Sequence, residues 1–273
     1  MIQSSTHIRT LEADFSSQLD TRILGRTTRF LESTDSTNTQ AMLWASKGAS
    51  EGSVILAEHQ TAGKGRHGRH WEASASSNLL FSVILRPKHL PPSHLSLITV
   101  AASVALSETI DQFIAPQPNQ IKWPNDILIN GKKCCGMLLE SAISINRPEA
   151  ELPVVLGIGV NVNQSQFSEA IAGKTTSLLL ESGRHTPRMT LLASFLKHLE
   201  NIYFSLNTEN NKALFDRYQQ KLAFINEATT LRFVGREEEI TGIIKGVTET
   251  GALELLTPDG LTAHHAGEVT SQQ

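Results

Sequence analysis

Cysteine is almost missing from this chain of 273 residues, which has only Cys134 and Cys135, side by side. Without a C-x-x-C pair or a third thiol, neither a cysteine zinc site nor a disulfide framework can be built, and a reducing compartment is expected. An excess of one charge is missing too. The 24 Lys+Arg against 27 Asp+Glu leave a formal net charge of −3, which excludes a protein that coats nucleic acid over its whole surface. The first residues, MIQSSTHIRTLEADF, have neither the cationic start nor the apolar run of a signal peptide, and no apolar run of membrane-spanning length is expected. The reading is a soluble, cytoplasmic protein with no membrane partner. Repeats and low-complexity tracts are lacking. So are G-x-S-x-G, which would mark a serine nucleophile, and the P-loop pattern G-x-x-x-x-G-K-S/T.

What is present is the composition of a globular protein, 40% hydrophobic and 19% charged, long enough to bury a substantial core. Residues 1–27 are polar and read as a leader, either a tail or one weak helix. From Arg29 the pattern sharpens. RFLES reads as a strand, Asp35 or Ser36 as a cap for a helix running through WASKG, and VILAEHQ as a short apolar strand. NLLFSVILRP is a strand closed by Pro87, and HLSLITVAASVALSETIDQF a helix apolar on nearly every face. Two strands joined by Asn130-Gly131 follow, then the β-branched strand LPVVLGIGVNVN and helices at about 189–206 and 210–222. Beyond residue 225, strand-like runs alternate with turn signals, so 225–273 is expected to be a small all-β domain behind a main domain of 28–224. Hairpins mixed with helices predict an α+β fold around a mixed sheet.

TAGKGRHGRHW, residues 61–71, holds three glycines, the cations Lys64, Arg66 and Arg69, and the histidines His67 and His70. Glycines permit close backbone approach, and the cations supply charge-assisted donors for phosphate oxygens. Taken alone, the same residues also describe a solvated surface loop. Ser36-Thr37-Asn38 sets three short hydrogen-bonding groups at a helix start, where capping would also explain Ser36. Gln60 ends the strand feeding the loop. KWPND places Lys122, Asn125 and Asp126 around a proline bend, with Lys133 just past the hairpin turn; ordinary turn residues are the other reading. Cys134 and Cys135 should point to opposite faces of a strand, one of them into the core. His264 and His265 lack ligand spacing, and the run Arg236 to Glu239 reads as a solvated turn.

DSTN at 35–38, AEHQTAGKGRHGRHW at 57–71, KWPNDILINGKKCCGMLLE at 122–140 and GIGVNVN at 157–163, in this order ahead of a small β unit, resemble the biotin–protein ligases. The resemblance runs from about Arg29 to the C-terminus and implies a class II aminoacyl-tRNA-synthetase-like catalytic domain with a small C-terminal SH3-like β-barrel. The family's basic loop usually reads G-R-G-R, and here Lys64 keeps the charge without the guanidinium fork.

By this resemblance the chain would join the carboxylate of biotin to the α-phosphate of ATP, release pyrophosphate, and pass the acyl group to a lysine of a biotin carboxyl carrier protein. Two anions meet in the first step, so Arg66, Lys133 and Asp126 are expected to carry the chemistry by electrostatic stabilisation. Ser36, Thr37, Asn38, Gln60, Gly63, Lys64, Gly65, Arg66, Lys133 and Gly136 are expected at biotin. Lys64, Arg66, Arg69, Trp71, Lys122, Asn125, Lys133 and Asn161 are expected at ATP, with Trp71 packing on adenine and Asn161 hydrogen-bonding it. Mg²⁺ is an expected cofactor, and Asp126 either helps to hold it or orients Lys133. The loop is expected to fold over the nucleotide and exclude water from the adenylate. Some members carry a helix-turn-helix and act as biotin-responsive repressors, and lipoate or octanoate ligases share a related fold. The leader is too short and apolar-poor for that DNA-binding unit, so a ligase without a DNA partner is expected, as a monomer or homodimer.

Overall fold

All seven residues of Leu79–Leu85 are buried, as a strand covered on both faces requires. This strand is the third of seven across a mixed sheet in the computed structural model, which describes residues 6–141, 153–235 and 237–271. In chain order the elements of the main body are α1 (Thr6–Gln18), β1 (Thr28–Thr34), α2 (Thr37–Ser46), β2 (Val54–Gln60), β3 (Leu79–Leu85), α3 (Ser96–Ile114), β4 (Asn119–Lys122), β5 (Asp126–Ile129), β6 (Lys132–Ser141), β7 (Val154–Val160), α4 (Glu169–Ala172), α5 (Leu178–Ser182), α6 (Arg188–Tyr203) and α7 (Lys212–Lys221). The sheet order is β1-β2-β3-β7-β6-β5-β4. β1 and β2 are parallel and every other pair is antiparallel, which is the mixed α+β arrangement expected.

The two faces differ. One is sealed by α1, α3, α6 and α7 around a continuous core that includes Phe15, Phe81, Leu106, Leu156 and Phe195. On the other, α2 covers only a small apolar cluster, Ala41, Ala45, Ile55, Ile84 and Val155. The rest of that face carries Gly136, Gly157 and Gly159, with Gly136 opposite Gly159 across β6 and β7. A sheet face without side chains is a floor, and the cleft described below lies on it.

A second sheet follows: β8 (Ala228–Arg232), β9 (Glu239–Val247), β10 (Leu253–Thr257), β11 (Gly260–His264) and β12 (Glu268–Ser271), all antiparallel in the order β11-β10-β9-β8-β12. Its apolar face, with Leu231, Ile244, Leu253 and Leu255, belongs to the same core.

Three expectations are corrected. The segment from Ile121 to Ser141 spans parts of three strands, because the proline bend separates β4 from β5 as the Asn130-Gly131 turn separates β5 from β6. Cys134 and Cys135 are both fully buried. The chain after β7 covers the face that alternation would leave open, and Cys134 Sγ donates to the Asn161 carbonyl at 3.4 Å. Finally, residues 92–114 are long and apolar enough to cross a membrane, with mean hydropathy 1.3, yet 72% of that window is buried in the protein. Helix α3 is a core helix. Of the run from Arg236 to Glu239, Arg236 lies outside the described residues.

Candidate active site

The glycine-basic segment leaves β2 and folds back on itself as a narrow loop. Gly65 N–H donates to the Arg69 carbonyl at 2.7 Å and Trp71 N–H to that of Gly63 at 3.0 Å. The tip turns through His67 and Gly68, both in the left-handed region, with φ of 56° and 74°. Glycine takes that conformation without a Cβ clash, and His67 bears a modest cost. The loop ends on Trp71, whose ring lies flat on the glycine floor: a Cβ on Gly159 would fall 2.4 Å from its Cε2, and one on Gly136 2.9 Å from its Cζ3.

At one end of the cleft is a set of hydrogen-bonding groups. Ser36 is the N-cap of α2, though its side chain makes no capping bond. Thr37 donates its N–H to Gln60 Oε1 at 2.6 Å and its hydroxyl to the same oxygen at 3.0 Å. Asn38 donates Nδ2 to Glu140 at 2.8 Å and accepts at Oδ1 from Ser82 at 2.6 Å. Its amide is therefore spent on the protein.

The other end is cationic. Arg66 Nη1 donates to Asn125 Oδ1 at 3.3 Å, and Asn125 Nδ2 donates to the Met137 carbonyl at 2.6 Å, so the bend after β4 holds the loop's guanidinium. Lys133 Nζ lies 2.7 Å from Asp126 Oδ1 as an ion pair without hydrogen-bonding angles, and 5.5 Å from the centre of the Trp71 ring. Its backbone is fixed by a bridge to Thr175. Burial pushes the Arg66 guanidinium below its ordinary value, with Asp126 opposing and Arg69 adding. Lys122 is lowered in the same way, by burial first, with Asp126 opposing and Lys133, Arg69 and Lys174 contributing repulsion. Cations crowded enough to depress one another form a site tuned for an anion.

Of the sequence-predicted site residues, Ser36, Thr37, Asn38, Gln60, Lys64, Gly65, Arg66, Arg69, Trp71, Lys122, Asn125, Asp126, Lys133 and Gly136 line this one cleft. Gly63 and Asn161 do not. Gly63 lies beneath the loop, packed against the Trp71 carbonyl and Gln60. Asn161 is buried behind the wall, donating Nδ2 to the Thr176 carbonyl at 3.1 Å and leaving Oδ1 without a partner. Sequence reasoning missed Glu268 and Val269 of β12, which reach the cleft from the second sheet. Glu268 pairs with Arg69 and lies 4.0 Å from His67. Only the late position of G-E-V after a turn signal marks them in sequence. It missed Ser82 as well, a serine in an otherwise apolar strand.

Comparison with known proteins agrees with this geometry. Residues 30–161 match the biotin/lipoate A/B protein ligase family and residues 224–270 the biotin protein ligase C terminal domain. The chain is 33% identical to the biotin–(acetyl-CoA-carboxylase) ligase of Mycobacterium tuberculosis, covering 86% of this chain and 85% of that one. It is 32% identical to the ligase of the same name from Paracoccus denitrificans, covering 88% and 98%, and 31% identical to the bifunctional ligase/repressor BirA of Bacillus subtilis, covering 94% and 78%. Among solved structures it resembles the biotin protein ligase of Aquifex aeolicus in complex with biotin and ATP, with a TM-score of 0.78 and 27% identity over 91% of this chain and 99% of that one. Matched by both family models and by a relative 33% identical over most of either chain, the chain belongs to the biotin protein ligase family.

Proposed function

We infer that this chain is a biotin–protein ligase: it activates biotin with ATP to biotinyl-5'-AMP and transfers the acyl group to a carboxyl carrier protein. The observation that carries the assignment of its residues is one cleft with opposite ends, a neutral hydrogen-bonding pair at Thr37 and Gln60 and a cationic cluster at Arg66 and Lys133, over a glycine floor closed by Trp71. The ureido head of biotin takes the first end, and its carboxylate then meets the α-phosphate of ATP at the second.

In the first step a carboxylate oxygen forms a bond to the α-phosphorus and the bond to the bridging oxygen of pyrophosphate breaks. Negative charge gathers on the phosphorus oxygens, where Arg66 and Lys133 offset it, prearranged and partly desolvated. In the second step a lysine amine of the carrier attacks the acyl carbonyl, and AMP leaves with the electron pair of the broken C–O bond. No nucleophile from the chain itself is needed.

Among the described residues no group of three His, Cys, Asp or Glu converges to hold a metal. Mg²⁺ is ordinarily held by one or two carboxylates together with substrate phosphates. Asp126 lines the cleft among the cations and would be such a carboxylate, sharing its charge with Lys133 Nζ at 2.7 Å, and the ion when bound would shield phosphate charge. The acceptor we propose is the carrier domain of a biotin-dependent carboxylase.

The test is incubation of the full chain with biotin, Mg-ATP and an apo carrier domain, read by mass spectrometry. One biotinyl increment on the carrier is expected, and none with lipoate in place of biotin. Uptake of lipoate with biotin ignored would overturn the assignment.

A further inference from the structure

We propose that Ser82, a fully buried residue of β3 outside the cleft wall, is a positioning residue that decides which polar groups the head-group end shows to its ligand. The inference rests on the functional reading above and deepens it. Ser82, Gly157 and Leu138 form a row across three neighbouring strands, since Gly157 is the register partner of both others. Asn38 lies across that row. A Cβ on Gly157 would come within 2.0 Å of Asn38 Oδ1, so glycine there is what admits the amide.

The protons can then be counted. Glu140, as a carboxylate, only accepts, and its contact with Asn38 Nδ2 at 2.8 Å turns Oδ1 toward Ser82. Ser82 has one hydroxyl proton and two acceptors, Asn38 Oδ1 at 2.6 Å and Thr37 Oγ1 at 2.8 Å. The Thr37 hydroxyl proton is directed to Gln60 Oε1 at 3.0 Å, the outer contact of this network. Gln60 Oε1 also receives the Thr37 N–H. Two consequences follow for the cleft. Thr37 is left to it as an acceptor only, and Gln60, its carbonyl spent on Thr37, has only its Nε2 amide to offer, as a donor. A cyclic urea presents N–H groups beside a carbonyl, the complement of that pair. A ring that offers an oxygen where the urea has N–H meets a lone pair and is rejected.

Ser82→Ala removes the shared proton, leaves Asn38 Oδ1 buried without its donor, and leaves the Thr37 hydroxyl held by Gln60 alone, so that it can turn toward the cleft. Selectivity for the urea should fall. The experiment measures binding of biotin and of its two cyclic carbamate analogues, each with one ring N–H replaced by oxygen, to the full chain by calorimetry, with pyrophosphate release at saturating biotin alongside. In the natural chain one analogue is expected to bind far more weakly than biotin. Ser82→Ala should lower that preference about ten-fold, the scale of one mispaired buried hydrogen bond, with kcat changed by less than about two-fold. Ser82→Cys, close in size and a weak donor, should shift the preference in the same direction by less, and it serves if the alanine variant does not fold. A merely structural serine would lower the melting temperature and leave the preference unmoved; folded variants with unaltered preference overturn the inference. A natural chain that binds biotin and both carbamates alike overturns it too, while the ligase assignment stands. If the natural chain binds none of the three, both fall.

Discussion

A methyl group on Gly157 would lie 2.0 Å from Asn38 Oδ1, and one on Gly159 2.4 Å from the Trp71 ring, whereas one on Gly173 meets nothing within 4 Å. Alanine at 157 or 159 therefore has to displace a cleft residue, and biotin affinity should drop about ten-fold or more, while Gly173→Ala should leave binding unchanged in the same titration. At the cationic end, Arg66→Ala and Lys133→Ala should each slow pyrophosphate release about 100-fold or more, and Arg66→Ala, which leaves the Lys133–Asp126 pair intact, should keep a melting temperature close to that of the natural chain. Lys122 gives this end a pH dependence. Burial disfavours its charged form, so the free protein loses that proton below the ordinary lysine range of about 10.4. A bound polyphosphate would restore it. Nucleotide affinity should accordingly weaken on the alkaline side, beginning beneath that range, and a Lys122→Met variant should bind more weakly with a flat alkaline limb in titrations across pH. The cations and amides of this end were legible in sequence because such residue types rarely crowd together by chance. Ser82, Glu140 and Glu268 were not, because a lone serine in an apolar strand or a glutamate after a turn gains meaning only from what lies across the sheet from it.

At the scale of elements, β2 and β3 were legible from apolar runs and α3 from apolarity on all sides, while β11, β12, α4 and α5 escaped. The helices are one turn long and the two strands are edges with few buried residues, too little periodicity for a pattern to show. Charged residues that fasten elements to one another escaped as well. Arg188, at the start of α6, grips Glu58 of β2 through both guanidinium nitrogens at 2.7 and 2.9 Å, and His7 of α1 joins the same carboxylate at 3.1 Å. Burial would raise the Glu58 carboxyl, but the hydrogen bonds from Arg188 and His7 hold it below its ordinary value. A depressed carboxylate contributes stability that is present above the ordinary carboxylate range and lost as pH falls below that range and through the group's own lowered value. Arg188→Met would strand the charge, and a loss of about 3–5 kcal/mol is expected in urea denaturation at neutral pH. The loss should shrink in acid, where the stranded carboxyl takes up a proton.

Across the whole molecule the second sheet works as part of the cleft. Trp123, in the bend that holds Arg66 through Asn125, donates Nε1 to the Gly251 carbonyl at 3.0 Å, and Glu268 pairs with Arg69 from above. One unit thus touches both walls of the cleft. Two opposing effects attend the Glu268 charge. With Arg69 at the ATP phosphates it would compete with them, so that removing it would tighten ATP binding. It also holds the loop's end over the cleft before ATP arrives, so removing it would make binding bear the ordering of several residues, each costing about 1–2 kcal/mol when free. An exposed ion pair is worth at most about 1 kcal/mol, which limits the competition, whereas the ordering involves the whole stretch from Arg66 to Trp71. The second effect should win. Glu268→Gln, which keeps the packing of β12, should raise the KM for ATP by about three- to ten-fold at nearly constant kcat, and trypsin should cut at Arg66 and Arg69 faster in the ligand-free variant than in the natural chain. An ATP KM that falls instead, with its advantage erased by high salt, would mean that the carboxylate only competes with the nucleotide and that the loop keeps its shape without help from the second sheet.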